Sequence, residues 1–144
     1  MVFGTFDGLH KGHLNFFKQA RALNILVRGQ AKNFTKNSFL IVSIARDKNV
    51  FKIKGEYPHL KESARVVVVK KCKLVDEVVL SGIKNHIPHI IKMHPDIIAL
   101  GYDQHAYVKN LKKDLKNKGI LVKIVRLKPY KERIYKNHLL KNKQ

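Results

Sequence analysis

Short apolar runs alternate along most of the chain with segments whose apolar residues recur at helical spacing. Phe39–Ile44 is a β-branched and aromatic run flanked by polar residues, which is typical of a buried strand. Leu14–Val27 places apolar residues three and four positions apart and predicts an amphipathic helix. The same criteria predict strands at Val2–Gly4, Val75–Leu80, Asp96–Leu100 and Ile120–Leu127, and helices at Lys61–Lys73, Ile83–Met93, Gln104–Lys118 and Ile134–Lys143.

Two segments are predicted to be mainly loop, namely the polar stretch Arg28–Ser38 and Asp47–Leu60, which contains a glycine and a proline. Lys61–Lys73 contains four consecutive valines, yet a crossover between two strands is needed there, so we expect a helix. The alternation predicts an α/β fold: a Rossmann-like parallel sheet with helices on both faces, in one domain over residues 1–144. Residues 1–7 resemble a first strand that has been cut short.

Charge and composition narrow the classes of function. Lys and Arg total 30 against 10 Asp and Glu, a net charge of +20. The basic residues are scattered and no base-reading motif accompanies them. We therefore favour a solvated basic surface, followed by a field that attracts small anions such as nucleotides, with nucleic-acid binding third.

The same composition argues against a membrane span and a disulfide. The longest stretch without a charged residue, Asn37–Ala45, has nine residues, whereas a spanning helix needs about twenty. A single cysteine, Cys72, excludes an internal disulfide and a Cys-rich zinc site. A cytoplasmic location is the resulting expectation.

The residues that follow the first predicted strand are the strongest candidates for chemistry, because parallel sheets bind ligands beyond the carboxyl ends of their strands. Gly8 and Gly12 allow a ligand to approach the backbone there, and the start of a helix offers free N–H groups to a phosphate. His10 and His13 are three residues apart and share one face of that first turn. A tight turn with two surface histidines is an equally weighted alternative, and zinc is a weaker one because no third ligand accompanies them.

The segment Gly4–His13 reads GTFDGLHKGH and resembles the GTFDxxHxGH signature of the cytidylyltransferase-like nucleotidyltransferases. The resemblance continues at IARD (44–47), ESAR (62–65), LVDEV (74–78) and PDIIALGYDQ (95–104), so that it covers nearly the whole chain. In the branch of archaeal-type FAD synthases the last of these motifs ends Gly-x-Asp-Gln, as it does here.

The resemblance implies a reaction in which a phosphate group of one substrate attacks the α-phosphorus of a nucleoside triphosphate and releases pyrophosphate. It implies Mg²⁺ or another divalent cation, and no metal ligand is predicted in the chain itself. By resemblance, the catalytic residues are His10, His13 and Arg126, and the nucleotide-binding residues are Thr5, Phe6, His10, Lys11, Gly12, His13, Lys54, Asp103 and Tyr130.

Within these roles, the resemblance gives Lys54 a contact with phosphate and Asp103 a contact with the ribose or the base. The favoured activity is that of an FMN adenylyltransferase using ATP. Asn137 and His138 stand where cytidylyltransferases of this group carry Ser/Thr hydroxyls, which agrees with that choice.

Two alternatives stay open at this point. One is a cytidylyltransferase acting on a phosphorylated alcohol such as glycerol 3-phosphate. The other is a protein that binds nucleotide or nucleic acid without catalysis, for which the charge of +20 and the missing hydroxyls speak. The expected partners are a nucleoside triphosphate and a phosphorylated small molecule, with FMN favoured, and neither a membrane nor a nucleic acid. A homodimer is compatible with the resemblance.

Overall fold

A computed structural model describes residues 1–28, 38–105 and 108–130, with five strands and five helices in this part of the chain. The strands are β1 (Val2–Gly4), β2 (Ile41–Ile44), β3 (Glu77–Leu80), β4 (Ile97–Leu100) and β5 (Lys123–Arg126). The helices are α1 (Lys11–Arg28), α2 (Asp47–Lys54), α3 (Glu62–Lys70), α4 (Ile87–Met93) and α5 (Val108–Asn117).

The strands form one parallel sheet in the order β3-β2-β1-β4-β5. From β1 the chain adds β2 and then β3 on one side, and it returns to add β4 and β5 on the other side of β1. The order in which strands are added therefore reverses between the neighbours β1 and β4. In open α/β sheets this reversal leaves a crevice at the carboxyl ends of the two central strands. The α/β, Rossmann-like fold class expected from the sequence is confirmed.

Apolar side chains fill both faces of the sheet. Val2 and Phe3 are neighbours on β1, yet Val2 belongs to a core cluster with Phe17 of α1, and Phe3 to a second cluster with Ile90 of α4. Successive side chains of a strand point to opposite faces, so both faces must be covered by helices to exclude water. This arrangement explains why the strands read as continuous apolar runs.

The predicted helix at Lys61–Lys73 is present as α3, in spite of its run of valines. Val69 is fully buried, whereas Val67 is exposed, which is a helical rather than a strand-like alternation. Residues 29–37 of the predicted loop at Arg28–Ser38, and the whole helix predicted at Ile134–Lys143, lie outside the described residues.

The prediction that Asp47–Leu60 is mainly loop was wrong, because its first half forms α2. The backbone N–H of Asp47 donates to a carboxylate oxygen of Glu62 at 2.8 Å, and the N–H of Glu62 donates back to the carboxylate of Asp47 at 3.1 Å. These exchanged bonds satisfy an N–H at the start of each of α2 and α3. Gly55, with φ of 77°, ends α2 by donating its N–H to the carbonyl of Phe51.

Candidate active site

A cavity of about 710 Å³ opens at the carboxyl ends of the strands. It is bordered by the segment after β1, the start of α1, the end of α2 and the residues that follow β4 and β5. Of the residues predicted from the sequence, those that line it are Thr5, Phe6, His10, Gly12, His13, Lys54, Asp103 and Tyr130.

The two histidines organise the turn that leads into α1. Nδ1 of His10 accepts the backbone N–H groups of Gly12 and His13, at 3.1 and 3.3 Å. Nδ1 of His13 lies 3.4 Å from the backbone nitrogen of His10, which donates to it. A side chain that accepts from the first free N–H groups of a helix acts as its cap, so His10 takes the position that Ser or Asp occupies in other helices.

These bonds determine the chemistry that the rings offer. An Nδ1 that accepts a hydrogen bond carries no proton, so the proton of each neutral imidazole is on Nε2. The rings stack with centroids 3.7 Å apart and planes 20° apart. Burial, and then the neighbouring His10, lowers the pKa of His13 from 6.5 to about 3, against a smaller raising effect of a hydrogen bond with the backbone of Gly8. His13 is therefore a neutral N–H donor at physiological pH.

The buried side chain of Phe6 packs against the histidine pair. Its backbone φ of 51° is unusual for a residue other than glycine, and its ring is 97% buried. The ring meets that of His13 edge to face, with centroids 5.3 Å apart, and leans on Phe17 at 5.2 Å. It also lies directly over Gly4, where an added Cβ would come within 2.6 Å of the ring. Phe6 was predicted to contact nucleotide, and the structure gives it in addition a packing role beneath His13.

Gln104 holds the crevice open between β1 and β4. The ladder between these strands has the register Val2 with Ala99, and the next rung would join the N–H of Gly101 to the carbonyl of Phe3. The side-chain amide of Gln104 stands between those two groups instead. It accepts from Gly101 at 2.8 Å and donates to Phe3 at 2.7 Å. The sequence motif included Gln104, but only the three-dimensional pairing reveals this role.

Arg126, at the end of β5, was predicted to be catalytic, and the structure directs its side chain elsewhere. Its Nη1 donates to the carbonyls of Gly101 and Gln104, at 2.8 and 3.0 Å, and lies 3.4 Å from that of Tyr102. Arg126 thus braces the loop that carries Asp103 and does not line the cavity. Lys11, exposed in the first turn of α1, does not line it either.

The remaining predicted residues surround the cavity from different elements. Lys54 is the last residue of α2, Thr5 follows β1, Asp103 is exposed on the loop after β4, and Tyr130 follows β5. The structure therefore brings residues that are up to 125 positions apart to one edge of the sheet. The individual roles of these residues stay predictions.

A fully buried arginine, Arg65 of α3, ties together the segments under the site. It donates to the carbonyls of Thr5, Ala45 and Leu60 at 2.7, 2.8 and 3.1 Å, and to the carboxylate of Asp47 at 2.6 Å. Those carbonyls lie just beyond β1, just beyond β2 and just before α3. Arg65 is therefore structural, and the ends of the strands that carry the site depend on it.

Asp7 joins the histidine turn to the segment that follows α2. Its two carboxylate oxygens accept the backbone N–H groups of His59 and Leu60, at 2.7 and 2.8 Å. Sequence reasoning missed this bond because it spans more than fifty residues, although Asp7 belongs to the signature motif. One carboxylate thereby fixes the position of two walls of the cavity.

Buried polar groups form the floor of the cavity next to β2 and β3. The hydroxyl of Ser43 lies 2.8 Å from Nε2 of His89, whose pKa is lowered by burial and by the neighbouring His86 and Lys92. Ser81, 97% buried, lines the cavity, and its hydroxyl has no hydrogen-bond partner among the described residues. A polar atom of a ligand or a water molecule would satisfy it.

No group of three or more His, Cys, Asp or Glu side chains that could hold a metal ion occurs among the described residues. None of the described helices is long and apolar enough to cross a membrane.

The sheet order, the central crevice and the capped histidine turn define a nucleotide-binding α/β domain of the nucleotidyltransferase type. Comparison with known proteins narrows this class. The chain belongs to the cytidylyltransferase-like family, whose profile matches residues 1–139. The resemblance deduced from GTFDGLHKGH is thereby confirmed.

Among curated relatives, the FAD synthase of Korarchaeum cryptofilum is 42% identical over 127 residues, which cover 88% of this chain and 79% of that protein. The FAD synthase of Methanothermus fervidus is 40% identical over 132 residues, covering 92% of this chain and 83% of the relative. A similar crystal structure is that of the lipopolysaccharide core biosynthesis protein from Thermoplasma volcanium. It superposes with a TM-score of 0.76 at 32% identity, over 90% of this chain and 95% of the other.

Proposed function

We propose that this protein is an FMN adenylyltransferase, which makes FAD from ATP and FMN with release of pyrophosphate. The observation that carries the proposal is the stacked pair of neutral histidines at the start of α1, placed in the crevice of a sheet of this family. The relatives named FAD synthase, at about 40% identity over most of the chain, support FMN as the acceptor over a phosphorylated alcohol.

In the proposed reaction an oxygen of the FMN phosphate attacks the α-phosphorus of ATP. The new bond forms as the bond between that phosphorus and the bridging oxygen breaks, and pyrophosphate leaves with the electron pair. Negative charge builds on the oxygens around phosphorus, where the imidazole N–H groups of His10 and His13 would donate. His13 would exchange its hydrogen bond with the backbone of Gly8 for one to a phosphate oxygen. The attacking phosphate oxygen is already deprotonated near neutral pH, so no proton transfer to the protein is required.

The sides of the crevice suggest where each substrate lies. Asp103 and Tyr130 follow β4 and β5, on one side of the histidine turn, and would contact the nucleoside of ATP. Lys54 ends α2, on the other side, and would neutralise phosphate oxygens there. Arg126 would act by positioning the loop of Asp103, and Lys11 by its charge near the start of α1.

A divalent cation is part of the proposal as a companion of the triphosphate. Mg²⁺ commonly binds through substrate phosphates, so we expect the cation to arrive with ATP, and the chain's own contribution is the pair of N–H donors and the lysine. We further propose that the enzyme works in the cytoplasm, where both substrates are available. A homodimer is a prediction that light scattering would check.

The test measures pyrophosphate and FAD from ATP and FMN for the wild type and for His10→Ala and His13→Ala. Each substitution removes one donor to the transition state, so we expect turnover to fall by a factor of about 10²–10³ while ATP binding weakens much less. His94→Asn is the matched control. His94 lies between α4 and β4, at the amino ends of the strands and away from the cavity, and Asn also adopts its left-handed backbone conformation. Turnover near the wild-type value in either of the first two variants would contradict the proposal.

The choice of nucleotide is tested with CTP in place of ATP, and with glycerol 3-phosphate in place of FMN. We expect FAD formation with ATP and FMN and little pyrophosphate from the other pairings. A higher rate with CTP and glycerol 3-phosphate would move the assignment to a cytidylyltransferase.

A further inference from the structure

Two exposed aromatic rings stack on each other beside the cavity, and one of them lines it. Phe51 of α2 and Tyr57 stack with centroids 4.6 Å apart and planes 24° apart, and they are 45% and 61% exposed. We call this pair the aromatic platform. Tyr57 lines the cavity, as does the neighbouring Ile53, which is 64% exposed. An exposed apolar group beside a ligand cavity usually marks a contact surface.

The platform is held in place from two sides. Gly55 ends α2 in the left-handed conformation and turns the chain back, so that Tyr57 returns over Phe51 of the same helix. Two residues further on, the N–H groups of His59 and Leu60 are bound by Asp7 of the histidine turn. The distance between the platform and the phosphate site is therefore set by the fold before any substrate arrives.

We propose that the aromatic platform stacks the isoalloxazine ring of FMN and so selects a flavin as the acceptor. This inference rests on the proposed function. In the proposed reaction ATP lies beside Asp103 and Tyr130, on the β4–β5 side of the crevice. The acceptor would then enter on the β2 side, where the platform lies. A flat, tricyclic aromatic ring is the part of FMN that gains most from stacking. Lys54, three residues before Tyr57, also lines the cavity and would contact the phosphate of a flavin stacked there.

The experiment compares wild type, Tyr57→Ala and Tyr57→Phe in steady-state FAD synthesis, with FMN and ATP varied separately. Loss of a stacking ring should raise the KM for FMN about tenfold, with kcat and the KM for ATP changed less than twofold. Tyr57→Phe keeps the ring and should behave like the wild type. Phe39→Ala removes a similarly exposed ring, 64% exposed, which precedes β2 at the amino ends of the strands. It should leave kcat and both KM values unchanged.

A second readout does not depend on turnover. FMN fluoresces, and a tyrosine ring stacked on the flavin quenches that emission by electron transfer, so titration of the protein into FMN without ATP should quench it in the wild type. Tyr57→Ala should quench it less and at higher protein concentration. Equal melting temperatures of the variants would show that they are folded, as expected for a substitution at an exposed ring.

The outcomes separate the inference from the proposed function. If the wild type makes FAD and Tyr57→Ala leaves both the KM for FMN and the quenching unchanged, the inference is overturned and the proposed function stands. If Tyr57→Ala raises the KM for ATP instead, adenine occupies the platform and the inference is again overturned. If the wild type neither binds nor adenylylates FMN, both proposals fall.

Discussion

Gly4→Ala is the substitution through which the packing beneath the site can be measured most directly. The added Cβ would lie 2.6 Å from two atoms of the Phe6 ring, whereas carbon atoms in contact are about 3.5–4.0 Å apart. The ring would have to retreat by about 1 Å. Phe16, Phe17 and His13 surround it on its other sides, so it has little free space in which to move.

Overpacking of this kind costs about 1–3 kcal/mol. We expect Gly4→Ala to lower the free energy of unfolding by that amount in a urea titration, with an unchanged dependence on urea concentration. Because the displaced ring carries His13 with it, we also expect turnover to fall by up to about 10²-fold, the usual effect of misplacing a reacting group by about 1 Å.

A double-variant cycle tests the reasoning. Phe6→Leu removes the ring atoms that the new methyl group would strike, so the double variant should be less destabilised than the sum of the two single variants. Stability of Gly4→Ala equal to that of the wild type, or strict additivity in the cycle, would refute the argument that the ring over Gly4 limits the backbone.

Three further predictions follow from bonds around the site. Replacing Arg65 by Met should lower stability by about 3–5 kcal/mol in denaturant titrations, because three carbonyls and the carboxylate of Asp47 lose a buried donor, and Arg65→Lys should recover part of the loss. Gln104→Glu keeps the shape of the side chain but cannot donate to the carbonyl of Phe3. It should cost about 1–3 kcal/mol, measured by the same titrations at neutral pH. Because the pKa of His13 is about 3 in the folded state and 6.5 when exposed, the unfolded chain binds the extra proton between these values, and stability should fall as pH falls through that window. His13→Gln should show a shallower fall, and an equal slope in both proteins would contradict the neutral state of this ring.

Local patterns were enough to predict the strands, most helices and the histidine turn. Within the predicted strands, Leu40–Ile44 and Ile98–Leu100 are buried, and strands covered by helices on both faces are largely apolar whatever surrounds them. His10 and His13 are three residues apart, so their proximity is decided by the first turn of a helix alone. These inferences needed no knowledge of distant parts of the chain.

What escaped prediction depends on pairs that are distant in sequence. The first half of Asp47–Leu60 is helical in part because Glu62, fifteen residues beyond Asp47, exchanges hydrogen bonds with it. An arginine side chain is a common phosphate ligand, which favoured a catalytic role for Arg126. Its hydrogen bond to the carbonyl of Gly101 becomes evident only when β4 and β5 are paired. The hydrogen bond between the backbone N–H of His59 and the carboxylate of Asp7 likewise joins residues that are distant in sequence. Periodicity and propensity contain no information about such contacts.

The amide of Gln104 has a consequence for how the binding site could change over evolutionary time. A direct ladder bond holds two strands about 4.8 Å apart, whereas two hydrogen bonds in series through an amide require a wider separation. The length of the Gln104 side chain therefore sets the separation of β1 and β4 at their carboxyl ends. Replacement of Gln104 by Asn would shorten that spacer by one methylene while leaving the sequences of both strands and of the histidine turn unchanged. Selection acting on one position could thus adjust the space for a nucleotide while the rest of the domain stays unchanged.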